Sequence, residues 1–235
     1  MNIRKRISLL ILVVAAGLLS ACRSNPRVTI GTKDQVRYEG TATEQDALAL
    51  GNALKTLKVF SDQGATVILS KGGEGTVISW LVKDGMWDDD TYVARVEQVT
   101  RGLGPTVGGL PVKMRLVTTA LVTKKELVVH APVLVGTKDE IIYSGDATEQ
   151  DAKTLGKALQ AAGYLEDSGA NVLFSKGKDG TVLSFVVDES VWDDASRVEA
   201  LQEMVRVVAP EIGGLPVKVR LVSGMLELKK EFSVT

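Results

Sequence analysis

Lys113 and Arg115 stand one residue apart in "GGLPVKMRL", and Lys218 and Arg220 stand likewise in "GGLPVKVRL". Strand alternation past Pro111 sends Val112, Met114 and Leu116 to one face and the two cations to the other. Neighbouring cations of this kind form a strip for a carboxylate, a phosphate or a lipid headgroup, and the same pattern also describes a plain solvated sheet face. Trp87 and Trp192 each open a "WDD" triplet. Its paired carboxylates offer oxygens to calcium, yet that ion takes about 6–8 of them and no D-x-D-x-D-G loop surrounds either triplet. Capping of the helix that follows, by Asp88 or Asp89, is the more direct reading. The tryptophans then either pack beside the helix start or form a binding ledge.

Other reactive constellations are poorly supplied. His130 is the only histidine and has no counterpart in the second half of the chain, so Ser-His-Asp and Cys-His arrangements are not signalled, and the residue is expected at the surface. Cys22 is the only cysteine, which rules out an internal disulfide and cysteine-based zinc sites. "SKGGEG" at 70–75 lacks P-loop spacing and leads into a strand, while "GLGPTVGG" at 102–109 follows a helix with the wrong spacing for a dinucleotide fingerprint. Both read as turns. No metal or cofactor is therefore expected, and acid–base catalysis by converging Asp and Glu is a generic alternative.

These residues recur because the chain is written twice. "GTKD", "ATEQDA", "WDD" and "GGLPVK" each return 105 positions later, and 28–130 aligns with 133–235 without a gap at about half identity. The period suits a small domain of about a hundred residues, too long for a solenoid repeat. Only Ala131 and Pro132 separate the copies, so the two are expected to lie close together, and their terminal strands are candidates to join into one sheet across that junction.

Within a copy, Gln35–Glu39 reads as a strand and Thr43 as a helix N-cap with Glu44 and Asp46 in the first turn. Ala47, Leu50, Leu54 and Leu57 keep helical spacing, as do Ala152, Leu155, Leu159 and Ala162. "ATVILSKGGEGTVISWLV" reads as a hairpin with its tip at 71–75. A second amphipathic helix follows through Val93, Val96, Thr100 and Leu103, echoed by Val198, Leu201, Val205 and Val208. Pro111 ends that helical region, and Gly108-Gly109 allow the backbone to turn into the strands expected at 110–117 and 121–129. The order predicted is β-α-β-β-α-β with an extra strand. It resembles the ferredoxin-like, split βαβ arrangement, an α+β fold with two helices on one face of a sheet. In "YSGDATEQDAKTLGKAL", "VWDD" and "GGLPVKVRL" each copy also resembles an uncharacterised bacterial domain found in membrane-attached proteins, a likeness that implies no activity.

The chain opens with the basic Arg4-Lys5-Arg6 and an apolar run from Ile7 to Ala21, shorter than the roughly 20 residues of a membrane span. That is signal-peptide layout over 1–21. Its end, Leu19-Ser20-Ala21-Cys22, resembles the lipobox of bacterial lipoproteins. The resemblance implies cleavage before Cys22, lipid (palmitate among its acyl chains) on that thiol and amine, and a lipidated tether over 22–27. Arg23 after the cysteine, in place of Asp, implies the periplasmic face of the outer membrane over the inner membrane. Loss of the leader leaves 25 Lys and Arg against 29 Asp and Glu, net −4, a balance that does not suggest nucleic acid. The expectation is a lipid-anchored cell-envelope protein acting as a non-enzymatic binding or assembly module for a protein or anionic envelope partner. The alternative is an envelope hydrolase using Asp and Glu.

Overall fold

The computed structural model describes residues 26–178 and 180–235; the expected leader 1–21, Cys22 and Asp179 lie outside them. The architecture is α+β, with two six-stranded mixed sheets, one per copy. The first repeat runs β1 (Arg27–Ile30), β2 (Asp34–Gly40), α1 (Glu44–Thr56), β3 (Thr66–Gly72), β4 (Gly75–Leu81), α2 (Asp90–Val107), β5 (Val112–Val117) and β6 (Thr123–Val129). The second runs β7 (Val133–Val135), β8 (Asp139–Gly145), α3 (Glu149–Ala161), β9 (Asn171–Gly177), β10 (Gly180–Val186), the short α4 (Glu189–Trp192), α5 (Ala195–Val208), β11 (Val217–Val222) and β12 (Leu228–Val234).

Strand order in each sheet follows chain order, β1 to β6 and β7 to β12. Helix α1 connects the parallel neighbours β2 and β3, and α2 connects the parallel neighbours β4 and β5. The remaining pairs are antiparallel. This corrects the ferredoxin-like expectation: a split βαβ unit leaves room for a strand between its parallel partners, whereas here they hydrogen-bond directly. Element order along the chain is the same in both arrangements, so the periodicity could not separate them. Each copy also has two strands beyond β-α-β-β-α-β instead of one. The strand missed is the first, and β1 begins at Arg27, the last residue of the expected tether. The guess of one sheet across the junction is overturned as well, because β6 and β7 belong to different sheets.

Local chemistry explains the elements. Thr43 accepts a hydrogen bond from Asp46 N while Asp46 accepts one from Thr43 N, a reciprocal capping box repeated at Thr148 and Asp151. One stripe of α1, Ala47, Leu50 and Leu54, is wholly buried against Val36, Val67 and Leu69 of the sheet. Such burial contributes roughly 1.5–3 kcal/mol for each large apolar side chain. Helix α2 carries Pro105 in its last turn and stops at Val107, ahead of Pro111, because Gly108 turns to φ 111° and Gly109 follows at φ 106°. Gly213 and Gly214 do the same at φ 118° and 87°, so "GGLPVK" is a joint between helix and strand. Each repeat has its own apolar core, and no residue is shared between the two. Among the described residues no helix is long and apolar enough to cross a membrane.

Candidate functional site

The alternation expected for β5 and β11 is present: Val112, Met114 and Leu116 are buried in one core and Val217, Val219 and Leu221 in the other, so all four cations lie on the opposite, helix-free sheet faces. The two strips have different surroundings. In the first repeat Arg115 Nε donates to Glu126 at 2.6 Å, Lys113 and Arg115 both reach Glu74 at 3.2 Å, and Lys113 lies 3.6 Å from Glu126. Two cations and two carboxylates form a closed set, which also holds Glu74 below the usual carboxylate range through Lys113 first and Arg115 with it. That strip is electrostatically satisfied.

The second strip meets the other repeat. Helix α2 lies against the helix-free face of the second sheet: Arg220 Nη2 donates to Asp90 of α2 at 3.1 Å and its Nε to Glu231 at 2.7 Å. Arg95 of α2 donates to the Met225 carbonyl at 2.9 Å and to Glu227 at 3.0 Å. Arg101 Nε donates to the His130 carbonyl at 3.0 Å, securing the junction. Between α2 and the sheet opens a cleft of ≈ 360 Å³ whose wall carries Lys218 and Arg220 beside Lys125, Lys176 and Lys178. Asp90 and Glu97 face it from α2. Asp90 is held by Arg220, and Glu97 by Arg101 at 2.6 Å. Burial pushes the Glu97 carboxyl above its ordinary value in spite of that arginine.

The cleft is thus composite, with one wall from each copy. It gathers more amines than carboxylates, and its remaining surface is apolar and hydroxylic, Leu173, Val182, Ser144 and Ser175 among it. Such a surface orients an anion by charge and shields it on one side by the overhanging helix.

Trp87 and Trp192 are half-buried and pack on the cores of their own repeats. Lys124 stands 5.5 Å above the ring of Trp87 and Lys229 5.9 Å above that of Trp192, and the next lysine in each case donates to the tryptophan's carbonyl. They clamp the β5–β6 and β11–β12 hairpins to the helix starts, and neither lines the inter-repeat cleft. Asp89 and Asp194 cap α2 and α5 by accepting from Tyr92 N and from Ser196 N and Arg197 N. His130 is half-buried, not exposed as the sequence suggested, with its ring stacked on Tyr143 at a 5.0 Å centroid distance. Burial, and after it Arg101, lowers its pKa. Among the described residues no cluster of three His, Cys, Asp or Glu side chains converges on a metal position.

Two pairs of carboxylates escaped the sequence reading. Asp34, 1% exposed, accepts from the backbone amides of Asp62, Gly64 and Ala65 at 2.7–2.8 Å, and Asp139 does the same for Asp167, Gly169 and Ala170. Asp62 in turn accepts from Thr32 N, Thr32 Oγ1 and Lys33 N. The signal available was their recurrence in "GTKD" and in "DQGA" with "DSGA". These locks fix loops and present no free oxygen to a ligand. A scan against protein-family models finds no match to this chain, and a search of curated proteins finds none either.

Proposed function

We propose that the chain is a lipid-anchored protein of the bacterial cell envelope that works as a non-enzymatic binding or assembly module. The observation that carries the binding reading is the composite cleft: the second repeat's cationic strip is covered by a helix of the first, so the site exists only in the assembled pair. The anchor rests on the basic opening, the apolar run and Leu19-Ser20-Ala21-Cys22, whose resemblance to a lipobox implies lipid on Cys22. Several acyl chains at about 0.8 kcal/mol per buried methylene hold such a body on a bilayer, with the periplasmic face of the outer membrane as the surface implied by Arg23. Cells grown with a fatty-acid analogue should label the wild-type chain and leave Cys22→Ala unlabelled; equal labelling of both would remove the anchor. Crosslinking in cells, with partners then identified, tests the binding reading.

One observation favours a second reading, an envelope hydrolase. Glu97 and Glu140 line a common ≈ 230 Å³ cavity between the repeats, and their counterparts Gln202 and Gln35 are not acidic. Glu97 has the raised pKa a general acid needs, although Arg101 already occupies its carboxylate. Turnover of an envelope polymer or phosphoester by the purified chain, abolished by Glu97→Gln, would replace the binding reading with this one.

A further inference from the structure

We infer that the inter-repeat cleft binds a phosphate-bearing molecule, held by Lys218, Lys178 and the Ser144 and Ser175 hydroxyls of the second repeat against α2 of the first. The inference rests on the binding reading above and is independent of the anchor.

The duplication supplies an internal control. Across the helix-free face of the first sheet, strand pairing sets Glu39, Ser70, Val77 and Lys113 in one row. Across the second, the corresponding row is Ser144, Ser175, Val182 and Lys218. In the first row Ser70 donates to Glu39, and Lys113 is shared by Glu74 and Glu126. Among the described residues the second row lacks this self-neutralisation. Glu39 is replaced by Ser144, and Glu231 keeps the bond to Arg220 that Glu126 makes to Arg115 without the second contact that Glu126 makes to Lys113. Among the described residues neither hydroxyl has a hydrogen-bond partner and Lys218 has no carboxylate within ion-pair distance. The hairpin tip has also changed from Gly73 to Lys178, placing one more amine on the cleft. Asp179, the counterpart of Glu74, adds one negative charge to the tip, and counting it in full still leaves the amines in excess. Lys176 is not part of that excess, because Asp151 holds it at 2.7 Å.

The donor set selects the ligand class. A carboxylate is best matched by the planar fork of a guanidinium, and the fork of Arg220 is already taken by Asp90 and Glu231. What remains is a group of ammonium point charges and hydroxyls along one row, which suits the several oxygens and the charge of about −1.5 to −2 of a phosphate monoester. At ≈ 360 Å³ the cleft falls at the small end of ligand pockets, which span about 300–1,000 Å³, enough for a phosphorylated polyol or the monoester headgroup of a phosphatidic acid.

The full chain is titrated calorimetrically with glycerol 3-phosphate in the presence of phosphatidylcholine nanodiscs. Saturable binding is expected, weakened about tenfold by Lys218→Gln, a few-fold by Lys178→Gln at the exposed tip, and unchanged by Lys113→Gln at the matched position of the first repeat. Nanodiscs containing phosphatidic acid, a lipid whose headgroup is itself a phosphate monoester, distinguish the sources: competition there assigns the site to a lipid headgroup, and unchanged affinity assigns it to a soluble phosphate monoester. Absence of saturable binding, equal loss in Lys113→Gln, or equal affinity for acetate would overturn the inference. If crosslinked partners in cells persist in Lys218→Gln while glycerol 3-phosphate fails to bind, the phosphate assignment falls and the binding reading stands.

Discussion

Asp34 and Asp139 show how much a single carboxylate organises. Each is buried and gathers three backbone amides from a loop about 30 residues away in sequence, so removing it strands those donors away from water. Asp34→Ala is expected to cost roughly 3 kcal/mol, read from urea denaturation, with Asp139→Ala alike. Asp46 and Asp151 govern the acid limit. A hydrogen bond from Lys71, then those from Thr43, lower Asp46 from 3.8 to about 2, and Lys176 with Thr148 does the same for Asp151. A depressed folded-state pKa favours the ionised form, so this stabilisation is complete above about pH 4 and fades as pH falls toward 2. The double variant Asp46→Asn/Asp151→Asn should show a shallower loss of stability over that window in circular dichroism. At this scale the sequence was half legible. Alternation placed Lys218 and Arg220 on a helix-free face, but the carboxylates that neutralise Lys113, and that find no equivalent at Lys218 among the described residues, come from another strand and a hairpin tip. No local spacing encodes them.

Helices α1 and α3 cross their sheets closely enough that a glycine is required on the buried side. A Cβ on Gly51 would fall 2.4 Å from Ile30 Cγ1, and one on Gly156 2.5 Å from Val135 Cγ2. Helix propensity alone favours alanine by about 1 kcal/mol, so the two effects oppose each other. Overpacking should win in Gly51→Ala, with a net loss of about 1–2 kcal/mol. Gly102→Ala in α2, where a Cβ meets nothing within 4 Å, should instead raise the melting temperature by a few degrees. The contrast, measured by thermal denaturation, separates packing from propensity. Both helices and their caps were legible because a 3.6-residue period and the Thr-x-x-Asp box are written locally. Strand β1 was not, since its alternation extends over only four residues. The order of the sheet depends on which strand each crossover returns to.

At the scale of the molecule, α2 serves both repeats: its buried stripe belongs to the core of the first, and its outer face lies on the helix-free face of the second sheet. Ala94 sits where α2 meets Leu173 and Leu226, and its counterpart on α5 is the exposed Glu199. Ala94→Glu should therefore lift the helix from the second sheet. The expected readouts are two separated calorimetric transitions and a larger radius of gyration by X-ray scattering. A double-mutant cycle on Asp90 and Arg220 should give a coupling below about 1 kcal/mol, because Asp90 is well exposed and screened. The duplication itself was legible from the 105-residue offset, whereas the docking of one copy on the other was not, because identical motifs cannot say which faces meet.

A sheet whose strands are stacked in the order of their synthesis has a consequence for how the polypeptide acquires its shape. Every new strand finds its template in the one completed just before, so ordering can advance like a zip from the amino end while the carboxyl end is still being delivered through the ribosomal tunnel. The leading half can thus become a finished platform before the trailing half arrives to be seated on it.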